Sequence, residues 1–335
     1  ADIVIFNHSL TPSQERNIER LVQCRVLDRT GLILDIFAQR ARTYEGKLQV
    51  ELAQLNHLAT RLVRGWTHLE RQKGGIGLRG PGETVLETDR RLLRIRMGQL
   101  KDRIEKVRQT RMQGRIARKK AAVPTVSLVG YTNAGKSTLF NILADSDVYA
   151  ADQLFATLDP TLRRLTWDGI GNLVLADTVG FVRNLSHSLV ESFKATLEET
   201  VEASLLLHVI DSSNPDMLEQ IEAVEKVLRE IGADVPVLRV YNKIDQSGEQ
   251  AKIVYHRPHQ PERVYVSAHT SQGLNYLRQA VHECLMGNMQ SFELSLKPAY
   301  GKLRTQFYAL NVIQSEHYDD HGNLKLHVIM APHKL

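Results

Sequence analysis

A glycine-rich loop in the middle of the chain is the feature that most restricts its fold. Residues 130–137 read Gly-Tyr-Thr-Asn-Ala-Gly-Lys-Ser, between the apolar runs 125–129 and 138–143. The loop therefore joins a predicted strand to a predicted helix. Its two glycines let backbone N–H groups curl around phosphate oxygens, and the helix N-terminus adds partial positive charge. The predicted phosphate site comprises Gly130, Tyr131, Thr132, Asn133, Ala134, Gly135, Lys136, Ser137 and Thr138.

Further polar groups follow apolar runs and are expected near the same phosphates. Lys136 can reach the terminal phosphates, and the Ser137 hydroxyl can coordinate Mg²⁺. Asp177 ends the run 172–176 and faces the predicted metal, through water in our interpretation. Gly180, three residues later, is placed to donate its N–H to a γ-phosphate. The expected reaction is metal-assisted phosphoryl transfer, with Lys136 and Gly180 in catalytic roles.

A second group of residues predicts which base is read. Asn242, Lys243 and Asp245 follow the apolar run 237–241, so they lie where α/β sheets bind ligands. A carboxylate such as Asp245 accepts from both the ring N–H and the exocyclic amine of guanine, a donor pair that adenine lacks. Ser267 and Ala268 end another run and can support the base through backbone amides. The sequence therefore predicts GTP as the nucleotide.

The composition of the chain limits its class and compartment. It has 335 residues, 42% of them hydrophobic and 24% charged, which indicates two to four soluble domains. Cys24 and Cys284 are its two cysteines, which suits a reducing cytoplasm and excludes a disulfide framework. The chain starts at Ala1 and enters a strand-like run almost at once, so we expect sequence upstream of it.

The region before the phosphate loop predicts a small α/β domain and a helical hairpin. Residues 3–6 and 24–27 read as strands, with helices from Thr11-Pro12 and over 32–40. Two stripes with spacings of three and four residues then predict long, antiparallel packed helices. The stripes are Leu48, Leu52, Leu55, Ala59, Leu62 and Trp66, and Leu86, Leu93, Met97, Leu100, Ile104 and Val107. The connection 73–82 has five glycines and one proline, more than a turn needs.

The second predicted helix is strongly basic. Residues 85–120 contain thirteen Arg or Lys and four Asp or Glu. Such a run is commonly a solvated helix face. The alternative is a rod that grips the phosphates of folded RNA, with Arg91 and Arg94 on the helix and Lys73 and Arg79 at the tip. The same choice applies to the tip, which is either a linker or a loop that approaches a partner closely.

These patterns predict a fold class and four domains. The fold class is α/β, a P-loop GTPase domain preceded by an α/β fragment with a helical hairpin and followed by a small α+β domain. In the GTPase domain, 162–167 and 172–175 form a hairpin, 205–210 is a buried strand and 217–231 an amphipathic helix. In the last domain, 308–312 and 324–329 are predicted strands. The expected domains are residues 1–45, 46–122, 123–289 and 290–335.

The motifs together resemble the HflX family of ribosome-associated GTPases. The matching segments are 29–37, 74–83, 130–137, 155–160, 177–182 and 242–245, so the resemblance covers nearly the whole chain. It implies slow GTP hydrolysis that the ribosome stimulates, binding to the large ribosomal subunit, and dissociation or rescue of ribosomes under stress. It also implies that Phe155 lies beside the nucleotide and that Thr157 bonds Mg²⁺ and the γ-phosphate in the GTP state.

One residue departs from the wider GTPase pattern. Phe181 stands where many signalling GTPases have a water-orienting glutamine, and an apolar ring cannot polarise water. Similarity to potassium-stimulated relatives implies that Asn133 helps to hold K⁺.

We expect a cytoplasmic monomer with no membrane insertion. Two alternatives stay open: a non-ribosomal switch whose hairpin is a protein-interaction arm, and an RNA-remodelling NTPase.

Overall fold

The computed structural model describes most of the residues of the chain. They are residues 2–62, 85–120, 123–145, 157, 161–182, 197, 200–286, 290–297, 300–309, 312–319 and 323–330. The described residues form two compact units, the first up to residue 110 and the second from residue 111 onward. None of the helices in the described ranges is long and apolar enough to cross a membrane.

The first unit starts with a small α/β motif whose helix starts are set by side-chain caps. Strands β1 (Ile3–Phe6) and β2 (Arg25–Asp28) pair in parallel, and helices α1 (Pro12–Val22) and α2 (Arg29–Arg40) follow them. Thr11 and Gln14 form a capping box at the start of α1, where Pro12 occupies the first turn. Asp28 accepts from the Gly31 N–H at 2.8 Å and so begins α2 directly after β2.

Two long helices, α3 (Tyr44–Leu62) and α4 (Val85–Lys120), pack through the described part of the predicted stripes. The second of them continues past residue 110 into the second unit. Trp66 of the first stripe lies outside the described residues. One hydrophobic cluster joins them, consisting of Leu48, Leu52 and Leu55 from α3 and Met97, Leu100 and Ile104 from α4. Arg96 also contacts Glu51 across the pair at 2.7 Å. Spacings of three and four residues put each stripe on one helix face, which is why the sequence predicted this packing.

A mixed sheet of seven described strands forms the core of the second unit. Its order is β4-β5-β3-β6-β7-β9-β8, with the edge strands β4 and β8 antiparallel to their neighbours and the others parallel. The strands are β3 (Thr125–Gly130), β4 (Thr161–Trp167), β5 (Gly171–Asp177), β6 (Leu205–Asp211), β7 (Val237–Asn242), β8 (Lys252–Arg257) and β9 (Gln260–Tyr265). The helices are α5 (Lys136–Ala144), α6 (Met217–Glu230), α7 (Ile244–Ser247) and α8 (Leu274–Met286). Strands β3 and β6 are buried along their whole length, as expected of central strands in a parallel sheet.

The C-terminal part of this unit is a three-stranded antiparallel sheet of order β10-β12-β11 with one described helix. Its elements are β10 (Gln290–Leu296), α9 (Gly301–Ala309), β11 (Ile313–Tyr318) and β12 (Leu324–Met330). The predicted strand over 308–312 is wrong, because α9 continues to Ala309 and β11 begins only at Ile313. Phe307 and Val312, on either side of the helix end, both pack against the same small core. A five-residue apolar run carries too little periodicity to reveal such a junction.

Candidate nucleotide site

The described residues of the predicted nucleotide site lie together at one edge of the seven-stranded sheet. The parallel strands β3, β5, β6, β7 and β9 all end there, and each is followed by a segment with polar side chains. The carboxyl ends of parallel strands are where open α/β sheets bind ligands. Residues far apart in the chain are brought together for this reason.

Close backbone approach explains the glycines of the phosphate loop. Gly130 has φ +151°, and a Cβ built there would lie 2.2 Å from the carbonyl oxygen of Val209. Gly135 has φ +88° and caps α5 in a left-handed conformation, with the Asn242 side chain 2.3 Å from where a Cβ would be. Any other residue at either position would push apart β6, β7 or the loop itself. The loop is therefore held between two neighbouring strands.

Lys136 is a buried cation in this loop. Its side chain is folded onto the loop, and Nζ donates to the carbonyl oxygens of Gly130 at 3.1 Å and Tyr131 at 2.8 Å. The residue is 6% exposed. Burial lowers the pKa of Lys136 to about 8, although the nearby Asp177 carboxylate raises it. An anion placed beside Nζ would restore the ordinary basicity of this amine.

Three oxygen-bearing side chains converge beside Lys136. The hydroxyls of Ser137 and Thr157 lie 2.8 Å apart and donate to Asp177 Oδ2 at 2.7 and 2.8 Å. Asp177 is fully buried, and burial raises its pKa against the opposing effects of Lys136 and the two hydroxyls. Among the described residues its Oδ1 atom has no hydrogen-bond partner.

This trio fits the way in which proteins hold Mg²⁺ for nucleotides. Magnesium takes oxygen ligands and is commonly bound by one carboxylate together with substrate phosphates and waters. One carboxylate and two hydroxyls leave room for those ligands, and the unpartnered Oδ1 offers a further acceptor. Within the described ranges, three or more His, Cys, Asp or Glu do not cluster as a metal site. The arrangement suits a metal that arrives with phosphate.

The segment after Asp177 is fastened to the phosphate loop. Phe181 N donates to Gly130 O at 3.0 Å, and Thr132 N donates to Phe181 O at 2.8 Å. The Phe181 side chain is 1% exposed. A Cβ on Gly180 would lie 2.7 Å from Thr132 Cγ2 and 3.1 Å from Lys136 Nζ. Gly180 therefore lies directly beside the loop and its lysine, and only glycine fits.

At the other end of the site, two predicted base-reading residues have defined partners. Ser267 Oγ donates to Asp245 Oδ1 at 2.5 Å and accepts from the Thr270 N–H at 3.1 Å. Asn242 Nδ2 donates to Ala134 O at 2.9 Å, while its Oδ1 accepts from the Ala268 N–H at 2.9 Å. The Asn242 side chain thus joins the phosphate loop to the loop that carries Ser267. Its amide fixes two loops at once, which is a role that sequence reasoning did not specify.

The remaining residues of the predicted nucleotide and RNA sites lie in different parts of the chain. Asn133 is exposed on the phosphate loop with φ +62°, and Thr138 is exposed on the first turn of α5. Arg91 and Arg94 are exposed on α4, in the first unit. Phe155, Lys73 and Arg79 lie outside the described residues.

Sequence reasoning missed three residues that contact the predicted base-reading segment. Asp211 ends β6 and pairs with Lys243 at 2.7 Å, and Ser212 and Ser213 follow it with further contacts to this segment. Burial raises the pKa of Asp211, but hydrogen bonds from Lys243 and Ser213 outweigh it and hold that pKa below the ordinary value. The available signal was an acidic residue at a strand end followed by Ser-Ser-Asn-Pro, which reads as an ordinary turn.

A glycine-lined phosphate loop with a buried lysine, a hydroxyl–carboxylate trio and a second loop carrying a carboxylate define a P-loop GTPase. Residues 125–243 match the family described as 50S ribosome-binding GTPase. Residues 1–38 match the GTP-binding GTPase N-terminal family, and residues 40–118 match the GTP-binding GTPase Middle Region. The chain belongs to the GTPase HflX family and hydrolyses GTP.

Two individual relatives support this membership, and one solved structure is also similar. The chain is 61% identical over 332 residues to GTPase HflX of Escherichia coli K12. This match covers 98% of this chain and 78% of that protein. It is 48% identical over 310 residues to GTPase HflX of Magnetococcus marinus, with coverage of 92% and 72%. A solved GTP-binding protein from the archaeon Sulfolobus solfataricus, in complex with GDP, is 25% identical with a TM-score of 0.49, covering 85% of this chain and 81% of that chain.

Proposed function

We propose that the described edge of the sheet binds GTP with Mg²⁺, and that the chain couples GTP hydrolysis to work on the large ribosomal subunit. The backbone of residues 130–138 would surround the phosphates, with Lys136 beside the β- and γ-phosphates. Ser137 and Thr157 would ligate Mg²⁺ directly and Asp177 through water. The metal would neutralise charge on the phosphates, and the Gly180 N–H would bond the γ-phosphate. The convergence of Ser137, Thr157 and Asp177 beside Lys136 is the observation that carries this assignment.

Guanine selection is assigned to Asp245, supported by its neighbours. Its Oδ1 is held by the Ser267 hydroxyl, which orients the carboxylate. The Asn242 side chain bonds both the Ala268 N–H and the Ala134 carbonyl oxygen. The distance between the loop that carries Ser267 and the phosphate loop is therefore fixed. Lys243 and Phe155 complete the proposed nucleotide contacts. A carboxylate oriented in this way favours guanine over adenine, because adenine offers no matching pair of donors.

A group other than the side chain of residue 181 has to position the attacking water. The Phe181 side chain is buried and its backbone is bonded to the phosphate loop, and an apolar ring cannot polarise water. We propose that a monovalent cation, K⁺ in the cell, takes part at Asn133, which lies exposed on the loop. A cation there would stabilise charge that develops between the β- and γ-phosphates.

The proposed partner is the large ribosomal subunit, and the proposed task is to dissociate or rescue ribosomes under stress. The description of the matching family supports the partner. Exposed basic residues on α4 add support, since cations on one helix suit RNA phosphates. They are Arg91, Arg94, Arg96, Lys101, Arg103, Lys106 and Arg108. The same proposal has residues 73–83 as a tip that contacts the ribosome, and a cytoplasmic protein that acts as a monomer.

Hydrolysis rates with and without purified large subunits test this function. We expect clear stimulation by large subunits, with GTP preferred to ATP by at least about a hundredfold, the scale set by unpaired buried polar groups. Equal rates with and without subunits, together with a binding partner among proteins, would favour a non-ribosomal switch. Equal use of ATP would favour an RNA-remodelling NTPase and remove Asp245 as the base reader.

A further inference from the structure

The end of strand β6 carries a carboxylate whose oxygens are both engaged. Asp211 lies opposite Asn242 in the parallel register of β6 and β7. Its Oδ2 accepts from Lys243 Nζ at 2.7 Å. Its Oδ1 accepts from the Ser213 N–H at 3.0 Å and from the Ser213 hydroxyl at 2.6 Å. The residue is 9% exposed, so water competes little for these bonds.

The two serines after Asp211 hold the same neighbouring segment. Ser212 donates to Asn242 O twice, from its N–H at 3.0 Å and from its hydroxyl at 2.7 Å, and its hydroxyl also lies 3.0 Å from Ser247 Oγ. The Ser213 hydroxyl lies 3.2 Å from Gln246 Oε1. Residues 211–213 therefore contact both ends of the segment 242–247. We call residues 211–213 the β6 clamp.

The clamped segment has a conformation that needs support. Lys243 has φ +65°, a left-handed conformation that is unfavourable for a residue with a long side chain. Its ammonium is tied to the neighbouring strand by Asp211, so backbone and side chain are both fixed. Asp245 follows two residues later, on the short helix α7 that Lys243 caps. The Lys243 anchor and the Asp245 carboxylate therefore lie two residues apart at the start of one short helix.

We propose that Asp211 is a positioning residue for guanine specificity, which acts by holding Lys243 and thereby the segment that carries Asp245. Asp211 itself does not touch the base in this proposal. The carboxylate anchors the lysine so that its aliphatic stem and the following turn are already ordered before the nucleotide arrives. Ordering that is present beforehand does not have to be supplied by binding, so affinity and discrimination are both greater. This inference depends on the proposed role of Asp245 as base reader.

Affinities for GDP and inosine diphosphate test the β6 clamp with the full chain. Inosine lacks the exocyclic amine, so the ratio of the two affinities measures how well the Asp245 carboxylate is aimed. We expect Asp211→Asn to weaken GDP about tenfold, which is the scale of one hydrogen bond to a charged group. The preference for GDP over inosine diphosphate should fall at least about threefold, because the misdirected carboxylate loses its bond to the exocyclic amine.

Two further variants show whether Asp211 acts through Lys243. Lys243→Met should reduce the same preference, and Asp211→Asn should add nothing in the Lys243→Met background. Glu225→Gln is the matched control, since it breaks an ion pair to Arg239 on β7 at 2.8 Å that has no contact with the segment. That control should leave both affinities within about twofold of wild type, the usual range for a half-exposed ion pair.

The outcomes separate the β6 clamp from the base reader. If Asp245→Asn abolishes the guanine preference while Asp211→Asn leaves it unchanged, the clamp is refuted and the base reader stands. Additive losses in the double variant also refute it, because Asp211 would then act by another route. If Asp245→Asn changes neither affinity, the base-reader assignment itself fails. Should Asp211→Asn not fold, Lys243→Met removes the same ion pair from its other partner, and an unchanged preference for GDP over inosine diphosphate there refutes the proposal.

Discussion

Replacing Lys136 by methionine should stabilise the nucleotide-free protein at neutral pH while it removes nucleotide binding. The buried ammonium has its pKa lowered from 10.5 to about 8. A difference of that size between the folded and unfolded chain corresponds to about 3 kcal/mol at 25 °C. Removing the charge removes this penalty, which already includes the charged part of the two hydrogen bonds to carbonyl oxygens. Losing the bonds that the neutral amine would still make costs about 1 kcal/mol each.

Those two carbonyls keep other donors, which limits the cost. Gly130 O still accepts from the Phe181 N–H, and Tyr131 O still accepts from the Ala134 N–H at 3.4 Å. The net gain in the free energy of unfolding at pH 7 is then about 1 kcal/mol. A residue required for binding would therefore reduce the stability of the empty protein, as expected where charges are buried for function.

The pH dependence distinguishes this reasoning from a general packing effect. Below pH 8, both the folded and unfolded states hold the Lys136 proton, and the fold bears the full penalty. Between pH 8 and 10.5 the unfolded state binds one more proton, so wild-type stability rises with pH and the penalty disappears. Lys136→Met should thus be stabilising by about 1 kcal/mol at pH 7 and destabilising by about 2 kcal/mol near pH 10.5.

Urea unfolding of nucleotide-free protein at several pH values between 7 and 10 measures this change. The chain has two tryptophans, so a Trp66→Phe background leaves Trp167, which lies in the core of the GTPase sheet, as the fluorescent reporter. Lys252→Met removes an exposed lysine from the same sheet and serves as the control, with little change expected. A Lys136→Met protein that is less stable than wild type by the same amount at every pH would refute the burial argument.

Three other predictions concern Asn133, the arginines of α4 and His208. Hydrolysis should be faster in K⁺ than in Na⁺, and Asn133→Ala should erase the difference; equal wild-type rates in both salts would leave Asn133 as a turn residue. Arg91→Ala with Arg94→Ala should reduce the slope of log affinity for large subunits against log salt by about one to two units, and an unchanged slope would remove these arginines from the RNA contact. Burial lowers the pKa of His208 to about 4, so stability is complete above pH 6.5 and falls by about 2–3 kcal/mol on going to pH 4.5. His208→Gln should remove that part of the acid sensitivity in unfolding measurements at the two pH values, and an unchanged loss would assign it elsewhere.

Local patterns predicted most elements because their causes are local. The helix start at Thr11-Pro12 and the apolar stripes of α3 and α4 depend on residues at most four positions apart, which the sequence displays directly. The strands β3 and β6 are continuous apolar runs, as fully buried parallel strands require. The strand predicted over 308–312 failed because the same short run serves a helix end and a strand start.

The sequence by itself determined the class of this protein, since motif spacing indicated a phosphate loop and a GTPase domain without coordinates, and it also predicted Asp245 as the base-reading carboxylate. Only the tertiary structure decided which groups support them. The Asn242 side chain joins two loops, and the Asp211 carboxylate holds Lys243, because β6 and β7 are neighbours in register. Such contacts join residues more than thirty positions apart, as in the pair Asp211 and Lys243. Strand order and burial fix them, and neither the spacing nor the local propensity of those residues carries that information.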